Sequence, residues 1–257
     1  YSVLELNKNS KISYNFIDIN PKVKNIIFGA HLLNDDMINS IPSNTIIFNT
    51  EQIESINEIW KRRILLLASK GMIFWDYSNH NLDLLHTKLN VKGRLFEIGF
   101  QSNLQRIKIN DNKEVDVLFY GSLNNRREKI INSLLKNNVK VKCLFGVYGK
   151  DRDDWIGKSK IVLNLHYYES KIFEIVRIFY LLTNAIPIVS EVDENTKLNN
   201  NYLKGIKGSN YEDVEKNILS LLENEKERKL IGLNGFNIIK KYPQINFTKS
   251  ILNSENS

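Results

Sequence analysis

Apolar residues along this chain come in short runs separated by longer amphipathic stretches. The runs "KNIIFGA" (24–30), "NTIIFN" (44–49), "GMIFWD" (71–76) and "RLFEIGF" (94–100) predict strands in the first part. After a polar gap follow "VDVLFYG" (115–121), "VKVKCLFG" (139–146), "KIVLNLHY" (160–167), "IPIVS" (186–190) and "KGIKG" (204–208). Several are apolar at consecutive positions, the pattern of strands covered on both faces in a parallel sheet. Between them lie helical stretches. "NNRREKIINSLLKNN" (124–138) gathers Ile130, Ile131, Leu134 and Leu135 on one face. Residues 211–242 predict two successive helices, the first with Val214, Ile218, Leu221 and Leu222 inward. Strand–helix alternation of this kind predicts an α/β protein with doubly wound parallel sheets.

The segment "QSNLQRIKINDNKEVD" (101–116) is polar and aperiodic, and the strand pattern restarts after it. Two Rossmann-like halves are therefore expected, a small N-terminal one over 1–105 and a second over 115–245. Residues 246–257 are expected to form a terminal helix and frayed tail. Tyr1 opens the chain without an initiator Met, the mark of a trimmed or processed polypeptide, which leaves room for a further N-terminal segment.

The chain has 257 residues, 42% hydrophobic and 25% charged, ordinary for a globular protein. No apolar run approaches the ~20 residues needed to cross a bilayer. The single cysteine, Cys143, excludes an intrachain disulfide and reads as a buried structural residue, consistent with a reducing, cytoplasmic setting. The net charge of +7 favours anionic partners such as nucleotides, nucleic acid or anionic membrane surfaces. The basic residues are scattered, however, not clustered as in a nucleic-acid-binding arm.

Ligands of open parallel sheets sit beyond the carboxyl ends of the strands. After the fifth strand, Gly121 allows a tight turn, Ser122 can cap the next helix, and Arg126 and Arg127 enter its first turn. Cations oppose the dipole there, so a bound phosphate accounts for them better than helix stability does. After the sixth come Gly146, Tyr148 and Gly149, a flexible turn able to lie against a nucleobase, and the D-x-D of Asp151 and Asp153. That D-x-D could hold a divalent metal but reads better as the acidic start of a helix ending near Lys158. After the seventh come His166, Tyr167, Tyr168, Glu169, Ser170 and Lys171, then Glu174 and Arg177, three apart and able to pair on one helix face. In the first half, Gly29 and His31 follow one strand, and Asp76, Tyr77 and Ser78 another. His80 and His86 read as surface residues. There is no Ser-His-Asp order, H-E-x-x-H, Walker loop or G-x-G-x-x-G.

Taken in order, "FYGSLNNRR", "FGVYG", "HYYESKIFEIVRIFYLL" and "IPIVSE" resemble the nucleotide-sugar-binding half of GT-B glycosyltransferases. The nearest resemblance is to the retaining group of bacterial polysaccharide transferases and CgeB-like proteins. "IIFGAHLL" and "IFWDYS" resemble phrases from compact bacterial and viral transferases. In the family's G-R-L-x-x-x-K-G loop, Gly121 matches the glycine, Ser122 replaces the arginine and Arg127 falls at the lysine. Glu174 matches the ribose-binding glutamate of a pair spaced by eight. His166 stands where its partner would be, with Glu169 as the alternative carboxylate. "NAIPIVSE" fits the family's G-x-P-V-V segment, with Asn184 and Ala185 before Pro187.

The resemblance implies a metal-independent transferase. It would move a hexosyl unit from a nucleoside-diphosphate sugar to a hydroxyl of a glycan, lipid or protein, with no cofactor beyond the donor. Arg127, Lys171 and helix N-termini would stabilise the departing diphosphate. Gly121, Ser122, Arg126, Gly146, Tyr148, His166, Glu169, Ile172, Phe173 and Glu174 would form the donor site, at a sheet end facing an interdomain cleft. Gly29, Asp76 and Tyr77 would lie on the acceptor side, with His31 as base or donor contact. An inverting enzyme needs such a base and a retaining one does not. The competing expectations are a degenerate, non-catalytic nucleotide- or glycan-binding module and, on charge alone, a nucleic-acid-binding protein.

Overall fold

A computed structural model describes residues 1–167, 173–193, 196 and 200–254. Two parallel sheets of four and five strands stand in two compact units, Tyr1–Ile98 with Ile245–Ser257, and Gly99–Gln244.

The first unit contains helix α1 (Ser2–Leu6), strand β1 (Asn25–Phe28), α2 (Asp35–Ser40), β2 (Thr45–Asn49) and α3 (Glu58–Ser69). It continues with β3 (Ile73–Asp76), α4 (Asn79–Leu89) and β4 (Gly93–Leu95). The strands run β1-β2-β3-β4, all parallel. Every residue of β2 is buried, as its unbroken apolar run requires. One face carries Ile47, Ile64, Leu67, Phe74 and Leu85. The other carries Ile46, Phe48 and Trp75 under Ile251 of the last helix. Each such side chain contributes roughly 1.5–3 kcal/mol of burial. The helices begin where Asn34, Asn57 and Ser78 accept an amide of the first turn. Of "RLFEIGF", only Arg94 and Leu95 lie in a strand, because β4 is a three-residue edge strand.

The second unit contains β5 (Val115–Tyr120), α5 (Asn125–Lys136), β6 (Val141–Leu144), α6 (Gly149–Gly157) and β7 (Ser159–Asn164). It continues with α7 (Ile175–Thr183), β8 (Ile188–Glu191), α8 (Asn200–Leu203), β9 (Lys207–Ser209), α9 (Val214–Glu223) and α10 (Glu225–Ile239). The strand order is β6-β5-β7-β8-β9, all parallel. Chain direction across the sheet reverses between β5 and β7, and such a reversal opens a crevice at the carboxyl ends of those two strands. Ile130, Ile131 and Leu134 of α5 enter the core with Val214, Ile218 and Leu221 of α9. Leu135 does not; it is exposed. Cys143 is also exposed, against expectation, because β6 is an edge strand.

The polar stretch 101–116 is not a free linker. Arg106 and Ile107 donate their amides to Asn184 Oδ1 at 2.9 and 3.0 Å, and Asn110 donates to the Gly157 carbonyl at 3.0 Å. These are backbone contacts, which side-chain periodicity does not register. The unit boundary accordingly falls at Gly99, whose amide donates to Gln244 Oε1 at 2.7 Å. The last helix, α11 (Gln244–Ser254), carries the chain back to the first unit, where Thr248 and Ser2 share a hydrogen bond of 2.7 Å. No helix among the described residues is long and apolar enough to cross a membrane.

Candidate functional site

The turn after β5 is built around Gly121, at φ 128, a conformation that side chains rarely adopt. The cap of α5 is Asn124, not Ser122. Asn124 Oδ1 accepts the Arg127 amide at 3.0 Å, two residues further along than the sequence suggested. Ser122 instead offers its carbonyl to Arg127 Nη1 at 2.8 Å. Arg127 is 3% exposed. Its Nη2 donates to the Leu165 carbonyl and lies 3.4 Å from Glu174 Oε1. Burial pushes this guanidinium down to about 10, which leaves it charged at neutral pH.

The carboxyl ends of β7 and β8 supply buried polar partners. Asn164 and Ser190 are fully buried, and Glu191 and His166 are each 1% exposed. Asn164 Nδ2 donates to Glu174 Oε2 and Ser190 Oγ, both at 3.0 Å. His166 Nδ1 stands 3.2 Å from Glu174 Oε2. Burial alone would raise the Glu174 carboxyl. His166, Arg177 and Asn164 more than offset it and hold the group below its ordinary value. Glu191 accepts both Nη atoms of Arg126 and the amide of His166, the latter at 3.1 Å. The Arg126 guanidinium also covers the Tyr211 ring at 3.9 Å.

A second row of cations backs the turn. Arg177 lies 4.7 Å from the centre of the Tyr120 ring, and Arg152 lies 5.6 Å from it. Arg152 also stands 5.2 Å from the Tyr180 ring, with Arg106 at 5.4 Å. Asp153 pairs with Arg106 at 3.0 Å and Arg152 at 3.4 Å. Burial pushes the Tyr120 hydroxyl up to about 12, so the ring between the two cations stays neutral. Among the described residues, five guanidinium groups, those of Arg106, Arg126, Arg127, Arg152 and Arg177, and three carboxylates, Asp153, Glu174 and Glu191, form this cluster.

The structure therefore brings Gly121, Ser122, Arg126, Arg127, His166, Phe173 and Glu174 together, Phe173 with its ring edge-on to His166 at 6.4 Å. Lys171, Glu169 and Ile172 lie outside the described residues. Gly146 and Gly149 take positive φ in open space after β6, and Tyr148 between them is 76% exposed. Glu174 and Arg177 do not form the pair their spacing suggested. Arg177 Nη1 donates to Asn164 Oδ1 at 2.9 Å, while Glu174 turns to Arg127 and Asn164. Asp151 stands in the first turn of α6, with Asp153 past it, and the helix ends at Gly157 with Lys158 as its cap. Among the described residues no three His, Cys, Asp or Glu side chains are grouped as metal ligands.

Sequence reasoning gave no role to Glu191, Tyr120 or Arg152. A carboxylate closing the buried run "IPIVSE" was the available signal, since a buried charge requires a partner.

In the first unit, Gly29 takes φ 73, and His31 Nε2 lies 3.5 Å from Glu51 Oε1. Asp76 is fully buried and accepts from Asn49 Nδ2 at 2.6 Å, the Ser78 amide at 2.8 Å and Asn81 Nδ2 at 3.1 Å. Burial raises its carboxyl to about 6 despite these donors. Tyr77 is half-buried beside it. His80 is half-buried against Glu54 at 3.5 Å, and His86 is exposed.

No protein-family model matches the chain. Two uncharacterized proteins of Acanthamoeba polyphaga mimivirus are similar in sequence. L138 is 30% identical over 191 residues, 69% of this chain and 20% of that protein. L137 is 25% identical over 224 residues, 77% of this chain and 29% of that protein. The chain thus spans less than a third of either relative's length. Among solved structures, TarM superposes with a TM-score of 0.59 at 15% identity, covering 100% of this chain and 58% of TarM. Anabaena HepE in complex with UDP and glucose gives 0.56 at 11% identity, covering 83% and 71%. Sucrose-phosphate synthase from Thermosynechococcus elongatus gives 0.55 at 10% identity, covering 86% and 69%. The protein has the fold of GT-B glycosyltransferases.

Proposed function

We propose that the protein is a glycosyltransferase that moves a sugar from a nucleoside-diphosphate sugar to a hydroxyl of a glycan, lipid or protein. One observation carries the reading: among the described residues, guanidinium groups outnumber carboxylates about the β5/β7 crevice of a GT-B fold. A surplus cation held in protein strengthens as charge develops on a departing diphosphate, and that is the differential binding transfer requires. With cations in this role the reaction is proposed to run without a metal ion. HepE, which shares the fold, is described in complex with UDP and with UDP-glucose, which supports a nucleotide sugar as ligand.

Lys171 keeps the diphosphate-facing role its place in the motif implies. On the acceptor side, Asp76 is sealed by its amide donors, whereas the His31 side chain is 28% exposed. His31 is therefore the proposed contact for an acceptor hydroxyl. The test is release of nucleoside diphosphate from UDP-glucose, GDP-mannose and related donors, with and without acceptor. Turnover of one donor is expected, and no turnover of any would remove the reading.

A second reading is a module that binds a nucleotide or glycan without transfer. It is favoured by Glu174, whose two oxygens are already engaged by Arg127, Asn164 and His166, so that ribose hydroxyls must compete for them. Saturable nucleotide binding with no donor turnover would support it over the first.

A further inference from the structure

The guanidinium groups of the crevice are not equivalent. Arg126 is neutralised at both Nη atoms by Glu191. Arg127 is buried, with Nη1 and Nη2 committed to the carbonyls of Ser122 and Leu165 and with Glu174 beside it. A side chain so enclosed ties the β5 turn to the end of β7 and offers little to a ligand.

Arg177 differs on each count. It is half-buried, stands over the neutral Tyr120 ring at 4.7 Å, and gives Nη1 to Asn164 Oδ1, a neutral acceptor. Among the described residues it shares the field of Glu174, a carboxylate that also serves Arg127 and His166. Its Nη2 looks onto Gly121: a Cβ there would stand 3.1 Å from it and 3.7 Å from Arg127 Nη1. Glycine therefore keeps open the space in front of both guanidinium groups. Behind Arg177, the far neighbour of Tyr120 is Arg152, pinned by Asp153. Arg177 is thus held in place by neutral contacts and a fixed ring, and among the described residues its charge is incompletely answered. Fixed donors aimed at an open space are what an anion requires.

We propose that Arg177 is the guanidinium of this chain that binds the diphosphate of the donor, and that Arg127, which occupies the motif's cationic position, is a structural strut. Arg152 and Asp153 are positioning residues acting through Tyr120. The inference rests on the glycosyltransferase reading above.

Calorimetric titration of wild type, Arg177→Lys and Arg177→Ala with inorganic pyrophosphate, UDP, GDP and their nucleosides tests it. Arg177→Ala is expected to bind pyrophosphate and the preferred diphosphate roughly 10- to 100-fold more weakly, the loss of hydrogen bonds to a charged group. Arg177→Lys should fall between, and nucleoside binding should not change. In wild type, phenylglyoxal should modify Arg177 and spare Arg127, and saturating pyrophosphate should protect Arg177. That labelling does not depend on how the variants fold. Unchanged diphosphate binding in Arg177→Ala, or unchanged labelling of Arg177 under pyrophosphate, overturns this inference alone. A wild type that binds neither pyrophosphate nor any nucleoside diphosphate overturns the transferase reading with it.

Discussion

Arg126 and Glu191 stand 65 residues apart and meet as a two-point ion pair, with the carboxylate 1% exposed. The pair joins the start of α5 to the end of β8, and through the His166 amide it also holds the end of β7. A buried carboxylate of this kind is stable only while its cation is present.

Arg126→Ala is therefore expected to cost about 3–5 kcal/mol, the usual loss when one member of a buried pair is removed. Arg126→Lys should recover part of it, since an ammonium cannot reproduce the two parallel bonds. Urea unfolding followed by circular dichroism reads both. A loss under about 1 kcal/mol in the alanine variant would place the pair among weak surface bridges.

Asp76 should make stability depend on pH. Its carboxyl is raised to about 6 in the folded protein from an ordinary 3.8, so the folded state binds the proton more tightly than the unfolded state. Stability then falls as pH rises between those values, by up to about 1.4 kcal/mol per unit, and this contribution is level above the folded value. Asp76→Asn should remove that slope. Unfolding curves of both proteins from pH 4.5 to 8 isolate the effect by difference, and parallel curves would refute it.

Ala185 has φ 55, in the left-handed region that favours glycine. Ala185→Gly should raise stability by about 0.5–1 kcal/mol by relieving a steric cost of that order. A lower melting temperature would show that the turn is held for another reason.

Gly121→Ala should destabilise by about 1–3 kcal/mol, because φ 128 strains any side chain. The same loss is expected in an Arg177→Ala background, since the backbone and not the 3.1 Å crowding is its main source. Full rescue there would reverse that assignment.

The architecture was legible because its signal is apolar periodicity. The run "NTIIFN" contains β2, "KIVLNLHY" contains all of β7 but Ser159, and the face of Ile130, Ile131 and Leu134 is a helix face. Edge positions were less legible. Cys143 and Leu135 are apolar by type but exposed, as is common at a sheet edge or on the outer side of a helix. How the polar segment 101–116 is held was not legible, because amide bonds to Asn184 and Gly157 leave no trace in side-chain pattern. At the candidate site, proximity to strand ends singled out Gly121, Arg126, Arg127, His166 and Glu174, which the fold brings together. Their division of labour depended on residues far along the chain. Glu191 neutralises Arg126, and Tyr120 supports Arg177, relations that no local spacing encodes.

The central claim is that the β5/β7 crevice receives a nucleoside diphosphate. Calorimetric titration of the chain with UDP, GDP, CDP and ADP, each with and without EDTA, tests it most directly. Saturable binding of one of them, unchanged by EDTA, is the predicted result. Binding of none would contradict the account, and binding abolished by EDTA would contradict its metal-free form.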